Sequence, residues 1–231
     1  MAYFCDGGQC VAVFLYAVLC VYEMISDAVF LCRKAAFSER KVIHMKRSYY
    51  ACVYGGASER ISDVYKNEVE KLGKLIADSG FSLVYGAGAT GCMGAVARGV
   101  ENNGGYVTGI SPDFIKDFED IFPCDNTVMV DTMAERKTLM EKHADLFIIA
   151  PGGVGTMDEF FQVGTLKYLK RIDAPIIVLK IGGFNDALLA HMDSLVEQGA
   201  VGDYIYDLYD VVDDVDSPML SSIFDRVSER V

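Results

Sequence analysis

Short apolar segments alternate with longer amphipathic ones from Met45 onward, and glycine or proline separates most of them. Short apolar segments between turn residues predict buried strands, and apolar residues at helical spacing predict helices. The predicted strands are 49–54, 81–85, 106–110, 127–130, 146–150, 175–180 and 208–212, and the predicted helices are 62–79, 93–103, 133–143, 156–170, 185–198 and a last one from 218, with a long loop and a short helical turn at 111–126. This order predicts an α/β fold, a Rossmann-like doubly wound parallel sheet, as a single domain over 45–231.

Residues 1–44 do not continue this alternation. They contain an apolar run at 10–22, which Glu23 and Asp27 then interrupt. This run is shorter than the roughly 20 residues that a membrane-spanning helix needs, and no lysine or arginine precedes it, which disfavours a signal peptide. Three interpretations stay open: a weak membrane or targeting segment, an extra helix packed on the domain, and a start site assigned too far upstream. We favour the last, with the protein beginning at Met45, and expect no stable association with membranes.

Composition excludes some classes of partner. The chain of 231 residues has a formal net charge of -12, whereas a nucleic-acid-binding surface needs clustered lysine and arginine. One small anion is still compatible with this charge, because a few backbone N–H groups and one arginine hold a phosphate locally. The seven cysteines include no C-x-x-C pair, and His44, His143 and His191 have no partner at metal-ligand spacing. We therefore expect no metal, no cofactor and no nucleic acid, and reduced cysteines in a cytoplasmic protein.

Three glycine-rich loops follow predicted strands, at 55–58, 86–94 and 151–156. In an open parallel sheet the carboxyl ends of the strands meet at one rim, and ligands bind there, near the point where the strand order reverses. We therefore expect the three loops to lie side by side and to form a common binding site.

The loop PGGVGT at 151–156 is the strongest of these signals. Its glycines let the backbone approach an anion, and the N–H groups at the start of the following helix point to the same place. The expected phosphate ligands are Gly152, Gly153, Val154, Gly155 and Thr156. The alternative is an ordinary strand–helix turn in which Thr156 and Glu159 form a capping box. The residues themselves leave both interpretations open.

Two further signals are less specific. Residues 86–91 match the pattern G-x-G-x-x-G between a strand and a helix, which favours a dinucleotide and a nicotinamide-dependent oxidoreductase. That fingerprint normally opens the first strand–helix unit, whereas a complete unit precedes it here and no acidic residue ends the next strand. Arg136 and Lys137 lie early in a predicted helix. They are either a solvated basic pair or, on the rim, ligands for a phosphate or a base.

Four motifs in the same order resemble those of the LOG family, the cytokinin riboside 5′-monophosphate phosphoribohydrolases that are often labelled lysine decarboxylases. Residues 151–159, PGGVGTMDE, resemble the family motif PGGxGTxxE, and residues 133–137, MAERK, resemble MHxRK. Residues 85–94 resemble the segment YGGGxxGLMG, and residues 56–58 resemble the GSS loop. The similarity extends over most of the predicted domain.

This resemblance implies hydrolysis of the N-glycosidic bond of a nucleoside 5′-monophosphate, usually by a homodimer without a metal. It places the catalytic residues at Arg136 and Glu159. It implies that the substrate and its phosphate are bound by Gly56, Ser58, Gly88, Met133, Lys137, Gly152, Gly153, Val154, Gly155 and Thr156. Ala134, Asp158 and Leu166 depart from the family pattern, so the sequence leaves the preferred base open.

In the hydrolytic interpretation, Glu159 binds the ribose hydroxyls and stabilises the positive charge that develops as the base leaves, while Arg136 fixes the nucleotide. Two other functions are compatible with the same motifs. One is a non-catalytic carrier of a nucleotide or cofactor on this fold, and the other is the nicotinamide-dependent oxidoreductase. Release of a free base distinguishes the hydrolase from both.

Overall fold

The computed structural model describes residues 49–229, all within one compact unit, and the predicted extension 1–44 lies outside the described residues. The strands are β1 (Tyr50–Tyr54), β2 (Ser82–Tyr85), β3 (Val107–Pro112), β4 (Asn126–Val130), β5 (Leu146–Ile149), β6 (Ile176–Leu179) and β7 (Asp210–Val212). The helices are α1 (Asp63–Asp78), α2 (Gly91–Asn102), α3 (Met133–His143), α4 (Val154–Tyr168), α5 (Asp186–Glu197) and α6 (Pro218–Ser228).

The strands form one sheet in the order β4-β3-β2-β1-β5-β6-β7, and every neighbouring pair is parallel. The chain first builds from β1 to β4 on one side and then continues with β5 on the other side of β1. The strand order therefore reverses between β1 and β5, where Val53 is in register with Ile148. A crevice opens at such a reversal, beyond the carboxyl ends of the two strands. The predicted doubly wound parallel sheet is confirmed.

The strands are apolar along their length because helices cover both faces of the sheet. Ala51 and Val53 of β1 face a core layer formed with α1, α2 and α6, while Cys52 and Tyr54 face a layer formed with α3, α4 and α5. The central strands β1, β2, β5 and β6 are buried at every residue, whereas the edge strands β4 and β7 have exposed positions. The centre of the sheet is thus a rigid support for the loops at its rim.

Helices α1 and α2 meet at two glycines. A Cβ atom on Gly73 would lie 2.3 Å from the carbonyl oxygen of Val96, and one on Gly99 would lie 2.0 Å from that of Glu70. The two backbones are therefore in contact, and neither glycine position has room for a side chain. This packing fixes α2, whose first turn reaches the rim of the sheet.

Most predicted boundaries agree with the structure within two residues, and α3 agrees at both ends. The start of α4 was predicted at Thr156 but lies at Val154, because Gly155 adopts helical backbone rather than belonging to the loop. A 3-10 helix at Asp113–Asp117 is the short helical turn expected in the segment 111–126. Between residues 49 and 229, no helix is long and apolar enough to cross a membrane.

Candidate active site

The three glycine-rich loops meet at the carboxyl ends of β1, β2 and β5, as expected. Gly56 connects them: its N–H donates to the carbonyl oxygen of Pro151 at 3.0 Å, and its own carbonyl oxygen accepts from the N–H of Cys92 at 2.8 Å. The hydroxyl of Thr90 donates to the carbonyl oxygen of Ala57 at 2.6 Å. These bonds hold the loops in fixed positions around the point where the strand order reverses.

A cavity of about 510 Å³ opens between these loops. It is lined by Gly55, Gly56, Ala57, Ser58, Ile61, Met93, Glu119, Arg136, Gly152, Gly153, Gly155, Thr156, Glu159 and Phe184. One part, which we call the glycine end, consists of Gly56, Gly152, Gly153, Gly155 and Thr156. Another part, which we call the charged end, consists of Glu119, Arg136 and Glu159. The volume is in the range of pockets that take small molecules.

Helix α4 begins at the glycine end without a side-chain cap. Gly153 is its N-cap residue, and no side chain caps the first turn. The N–H groups of the first turn have no partner within the helix, so they are available to an anion, which the helix dipole also favours. Thr156 is the third helical residue rather than the cap. The capping-box interpretation of Thr156 and Glu159 is therefore wrong, and no capping bond fixes Glu159.

Thr156 instead packs against the loop that precedes its helix. It is 3% exposed, and a Cβ atom on Gly152 would lie 2.1 Å from its hydroxyl oxygen and 2.8 Å from the backbone nitrogen of Gly56. The absence of a side chain at residue 152 thus lets the loops after β1 and β5 close up around the start of α4. This close approach shapes the glycine end.

Arg136 reaches the charged end from the first turns of α3. The hydroxyl of Thr132 accepts from the N–H of Glu135, and the Glu135 carboxylate accepts from the N–H of Asp131, so local bonds fix where this helix starts. The Arg136 side chain is 9% exposed, and its Nε donates to the carbonyl oxygen of Ile110 at 3.2 Å. A Cβ atom on Gly86 would lie 1.7 Å from a guanidinium nitrogen of Arg136. The guanidinium therefore occupies the space that a side chain at residue 86 would fill.

Glu159 faces Arg136 from the second turn of α4. A guanidinium nitrogen of Arg136 lies 3.8 Å from the carboxylate oxygen of Glu159, and both side chains are buried. Burial raises the pKa of Glu159 to about 7, while the charge of Arg136 lowers it and that of Asp158 raises it. The separation is too long for a strong hydrogen bond, so both groups keep donors and acceptors for a ligand. A buried carboxyl that titrates near neutral pH in a cavity is typical of functional sites.

Four of the predicted binding residues do not line the cavity. Lys137 forms an ion pair with Asp158 at 2.7 Å, and Val154 is 87% exposed. The sulfur of Met133 accepts from a guanidinium nitrogen of Arg136 at 3.8 Å, so Met133 contacts the site indirectly. Gly88 packs against the side chain of Met93.

Six lining residues were not among the predicted binding residues: Gly55, Ala57, Ile61, Met93, Glu119 and Phe184. Ile61, Met93 and Phe184 give the cavity apolar walls, and Glu119 adds a second carboxyl to the charged end. Burial raises the pKa of Glu119, and the charge of Arg136 lowers it. Met93 belongs to the motif at 85–94, whereas Ile61, Glu119 and Phe184 belong to no motif, and only the fold brings them to the cavity.

The part of the chain that the structure describes contains no group of three or more histidine, cysteine, aspartate or glutamate side chains that could hold a metal ion. Cys52, Cys92 and Cys124 are free thiols. The chemistry that the cavity offers through its own residues is therefore acid–base and electrostatic: one guanidinium, two carboxyls and the N–H groups that begin α4.

The fold and the cavity define a doubly wound α/β protein in which a helix N-terminus without a side-chain cap lies beside a buried Arg–Glu pair. A family model described as "Possible lysine decarboxylase" matches residues 93–220. The chain is 35% identical over 175 residues to the cytokinin riboside 5′-monophosphate phosphoribohydrolase of Mycobacterium tuberculosis, a match that covers 75% of this chain and 92% of that protein. The chain belongs to this LOG or lysine decarboxylase-like family.

Other relatives agree with this assignment. A probable cytokinin riboside 5′-monophosphate phosphoribohydrolase of rice is 36% identical over 151 residues, which cover 65% of this chain and 61% of the rice protein. Among solved structures, the Moco carrier protein of Chlamydomonas reinhardtii has a TM-score of 0.59 at 18% identity, over 80% of this chain and 100% of that one. At 18% identity, the similarity to the Moco carrier protein shows a shared fold and nothing about function.

Proposed function

We propose that this protein hydrolyses the N-glycosidic bond of a nucleoside 5′-monophosphate and releases the free base and ribose 5-phosphate. The observation that carries the proposal is the buried pair of Arg136 and Glu159, 3.8 Å apart, in one cavity with the first turn of α4, whose N–H groups no side chain caps. The names of the relatives support the same chemistry.

The glycine end takes the 5′-phosphate in this proposal. Gly152, Gly153 and Gly155 leave the backbone accessible, and the start of α4 supplies N–H donors and the positive end of a helix dipole. Ser58 also lines the cavity and is exposed, and its hydroxyl, which accepts from the N–H of Arg60, can donate to a phosphate oxygen. Because the phosphate is held by backbone groups, the site needs no cluster of lysines, in agreement with the acidic composition of the chain.

The charged end acts on the ribose and the base. As the bond between C1′ and the base nitrogen breaks, its electron pair leaves with the base, and positive charge develops on the sugar. The ionised carboxylate of Glu159 accepts hydrogen bonds from the ribose hydroxyls and stabilises this charge, and Arg136 holds the nucleotide in place. Water then adds to C1′ and loses a proton, while the departed base gains one, so that the reaction consumes one water molecule.

The decarboxylase named in the family description has less support from these residues. A decarboxylase that uses pyridoxal phosphate needs a lysine for the Schiff base. None of the described residues that line the cavity is a lysine, and Lys137, the nearest in sequence to Arg136, is paired with Asp158. The site thus favours cleavage of a nucleotide.

Product analysis after incubation with a panel of nucleoside 5′-monophosphates tests the proposal. We expect stoichiometric free base and ribose 5-phosphate from AMP or isopentenyl-AMP, separated by liquid chromatography. Tight binding without base release would instead identify a carrier, and saturable binding of a dinucleotide without base release would identify an oxidoreductase. The homodimer that the family resemblance implies, and the cytoplasmic location, stay predictions that sizing and localisation experiments address.

A further inference from the structure

The three nitrogen atoms of the Arg136 guanidinium have different neighbours. Nε donates to the carbonyl oxygen of Ile110 at 3.2 Å, and Nη1 donates to the sulfur of Met133 at 3.8 Å. Nη2 lies 3.8 Å from a carboxylate oxygen of Glu159. Two of the nitrogens are therefore held by neutral acceptors, while the third stops short of a hydrogen bond to Glu159.

Helix α3 places Met133 for this contact. Met133 is the first residue of the helix and precedes Arg136 by three positions, so the two side chains lie on the same face. The hydroxyl of Thr132 accepts from the N–H of Glu135 and fixes where the helix begins. A thioether is a weak acceptor, but it matters to a buried guanidinium because unpaired donors are costly there. The sulfur thus competes with Glu159 for the guanidinium.

Met133 is also accessible from solvent. Of the methionines between residues 49 and 229, Met133 and Met219 are the exposed ones, at 37% and 42%. Met219 lies on α6, which covers the opposite face of the sheet from α3. Met93 lines the cavity but is only 7% exposed. Within this part of the chain, Met133 is therefore the exposed methionine that contacts Arg136, and Met219 is its matched control.

We propose that Met133 is a positioning residue for Arg136 and a site of oxidative modification, where conversion of the thioether to a sulfoxide draws the guanidinium away from Glu159. The effect on base release rests on the proposed function. A hydroperoxide supplies the oxygen: its O–O bond breaks, one oxygen bonds to the sulfur, and the other leaves as water or an alcohol. The sulfur is oxidised by two electrons and the peroxide is reduced. The polar sulfoxide oxygen then accepts from Nη1 more strongly than the sulfur did.

Two substitutions test the contact without an oxidant. Met133→Leu keeps nearly the same volume but removes the acceptor, so the guanidinium is free to close on Glu159. Met133→Gln places an amide oxygen where the sulfur was and imitates the sulfoxide, so the guanidinium is drawn away from Glu159. The two variants therefore move Arg136 in opposite directions.

The pKa of Glu159 reports where the guanidinium lies. Burial raises this pKa to about 7, the charges of Arg136 and Lys137 lower it, and the charge of Asp158 raises it. The pKa of Glu159 should therefore fall in Met133→Leu and rise in Met133→Gln. A role of Met133 in packing alone would shift this pKa in the same direction in both variants.

The experiment measures the pKa of Glu159 by carbon-13 NMR, with Glu159→Gln to assign its resonance, together with the AMP dissociation constant and kcat/KM for base release. Each is measured before and after treatment with hydrogen peroxide. Peptide mass spectrometry should find one added oxygen at Met133 and one at Met219. The oxidised wild type should lose on the order of tenfold in kcat/KM and show a raised pKa of Glu159. Methionine sulfoxide reductases should restore both.

The variants separate this site from other effects of peroxide. Met133→Leu should begin about threefold below the wild type in kcat/KM and lose less than about twofold on treatment, because residue 133 no longer gains an oxygen. Met219→Leu should lose activity on treatment as the wild type does.

Equal sensitivity of Met133→Leu and the wild type to peroxide, or a shift of the Glu159 pKa in the same direction in Met133→Leu and Met133→Gln, overturns the assignment. The proposed function fails separately. If no nucleotide releases base, the titration of Glu159 still decides the role of Met133. If the oxidised wild type releases base at its original rate, only the role of Met133 is contradicted.

Discussion

The glycine end and the charged end of the cavity are built in different ways. At the glycine end the backbone makes the site, because glycines let two loops and the start of α4 approach each other, and a Cβ atom on Gly152 would lie 2.1 Å from Thr156. At the charged end, side chains from three separate parts of the chain make the site: Glu119 from the segment between β3 and β4, Arg136 from α3 and Glu159 from α4. Most of the glycine end therefore comes from one continuous motif, whereas the charged end combines residues of two motifs with Glu119, which belongs to none.

The largest effect is expected from adding a methyl group at the glycine end. The substitution Gly152→Ala forces Thr156 and the loop at Gly56 apart, so the N–H donors at the start of α4 lose their arrangement. We expect base release from AMP to fall by on the order of 100-fold or more, through loss of transition-state positioning. The control is Gly164→Ala, which lies later in α4 with nothing within 4 Å of the added Cβ. Equal activity of the two variants would contradict a backbone-built site.

The second largest effect on activity is expected from adding a methyl group at Gly86, next to the Arg136 guanidinium of the charged end. The substitution Gly86→Ala places a Cβ atom 1.7 Å from a guanidinium nitrogen and therefore displaces Arg136 from Glu159. We expect kcat to fall by about 10- to 100-fold, since a misplaced group loses orientation. The control is again Gly164→Ala, where nothing lies within 4 Å of the added Cβ, so activity should change by less than about threefold. Steady-state kinetics of both variants with AMP would reveal whether the position of the guanidinium matters.

As pH rises and Glu159 loses its proton, activity should increase while the free energy of unfolding should decrease. Burial raises its pKa to about 7, so the ionised carboxylate that the proposed reaction needs forms as pH rises, and kcat/KM should increase between pH 5 and 8. A raised carboxyl pKa means that the folded state binds this proton more tightly than the unfolded state. The free energy of unfolding should therefore fall across the same range, by at most about 3 kcal/mol. In Glu159→Gln this contribution to the pH dependence of stability should be absent.

The smallest effect is expected at Lys137, although the family motif includes this residue. Its ion pair with Asp158 is partly exposed, which limits its contribution to stability to less than about 1 kcal/mol. The substitution Lys137→Met should lower base release by less than about threefold, and Asp158→Asn should have a similarly small effect. A loss of 100-fold in Lys137→Met alone would show that the lysine leaves Asp158 and contacts the substrate.

The sequence predicted the features that depend on regular residue patterns, namely the strands, the helices and the glycine-rich loops. Apolar periodicity placed the strands and helices, and the loop at 151–156 indicated where the cavity lies at the rim of the sheet. The start of α4 was misplaced because a glycine at the first turn of a helix looks like part of a loop. Glu119 was missed because its segment has no motif, and its entry into the cavity depends on backbone bonds to the loop after β2.

The most direct measurement compares binding and turnover of AMP in Glu159→Gln. This carboxyl is buried, lies 3.8 Å from Arg136, and is the group assigned to the charge that develops on the sugar. Calorimetric titration should show an AMP dissociation constant within about threefold of the wild type, while base release falls by on the order of 100-fold or more. Unchanged base release with intact binding would contradict the role assigned to Glu159 in the proposed reaction.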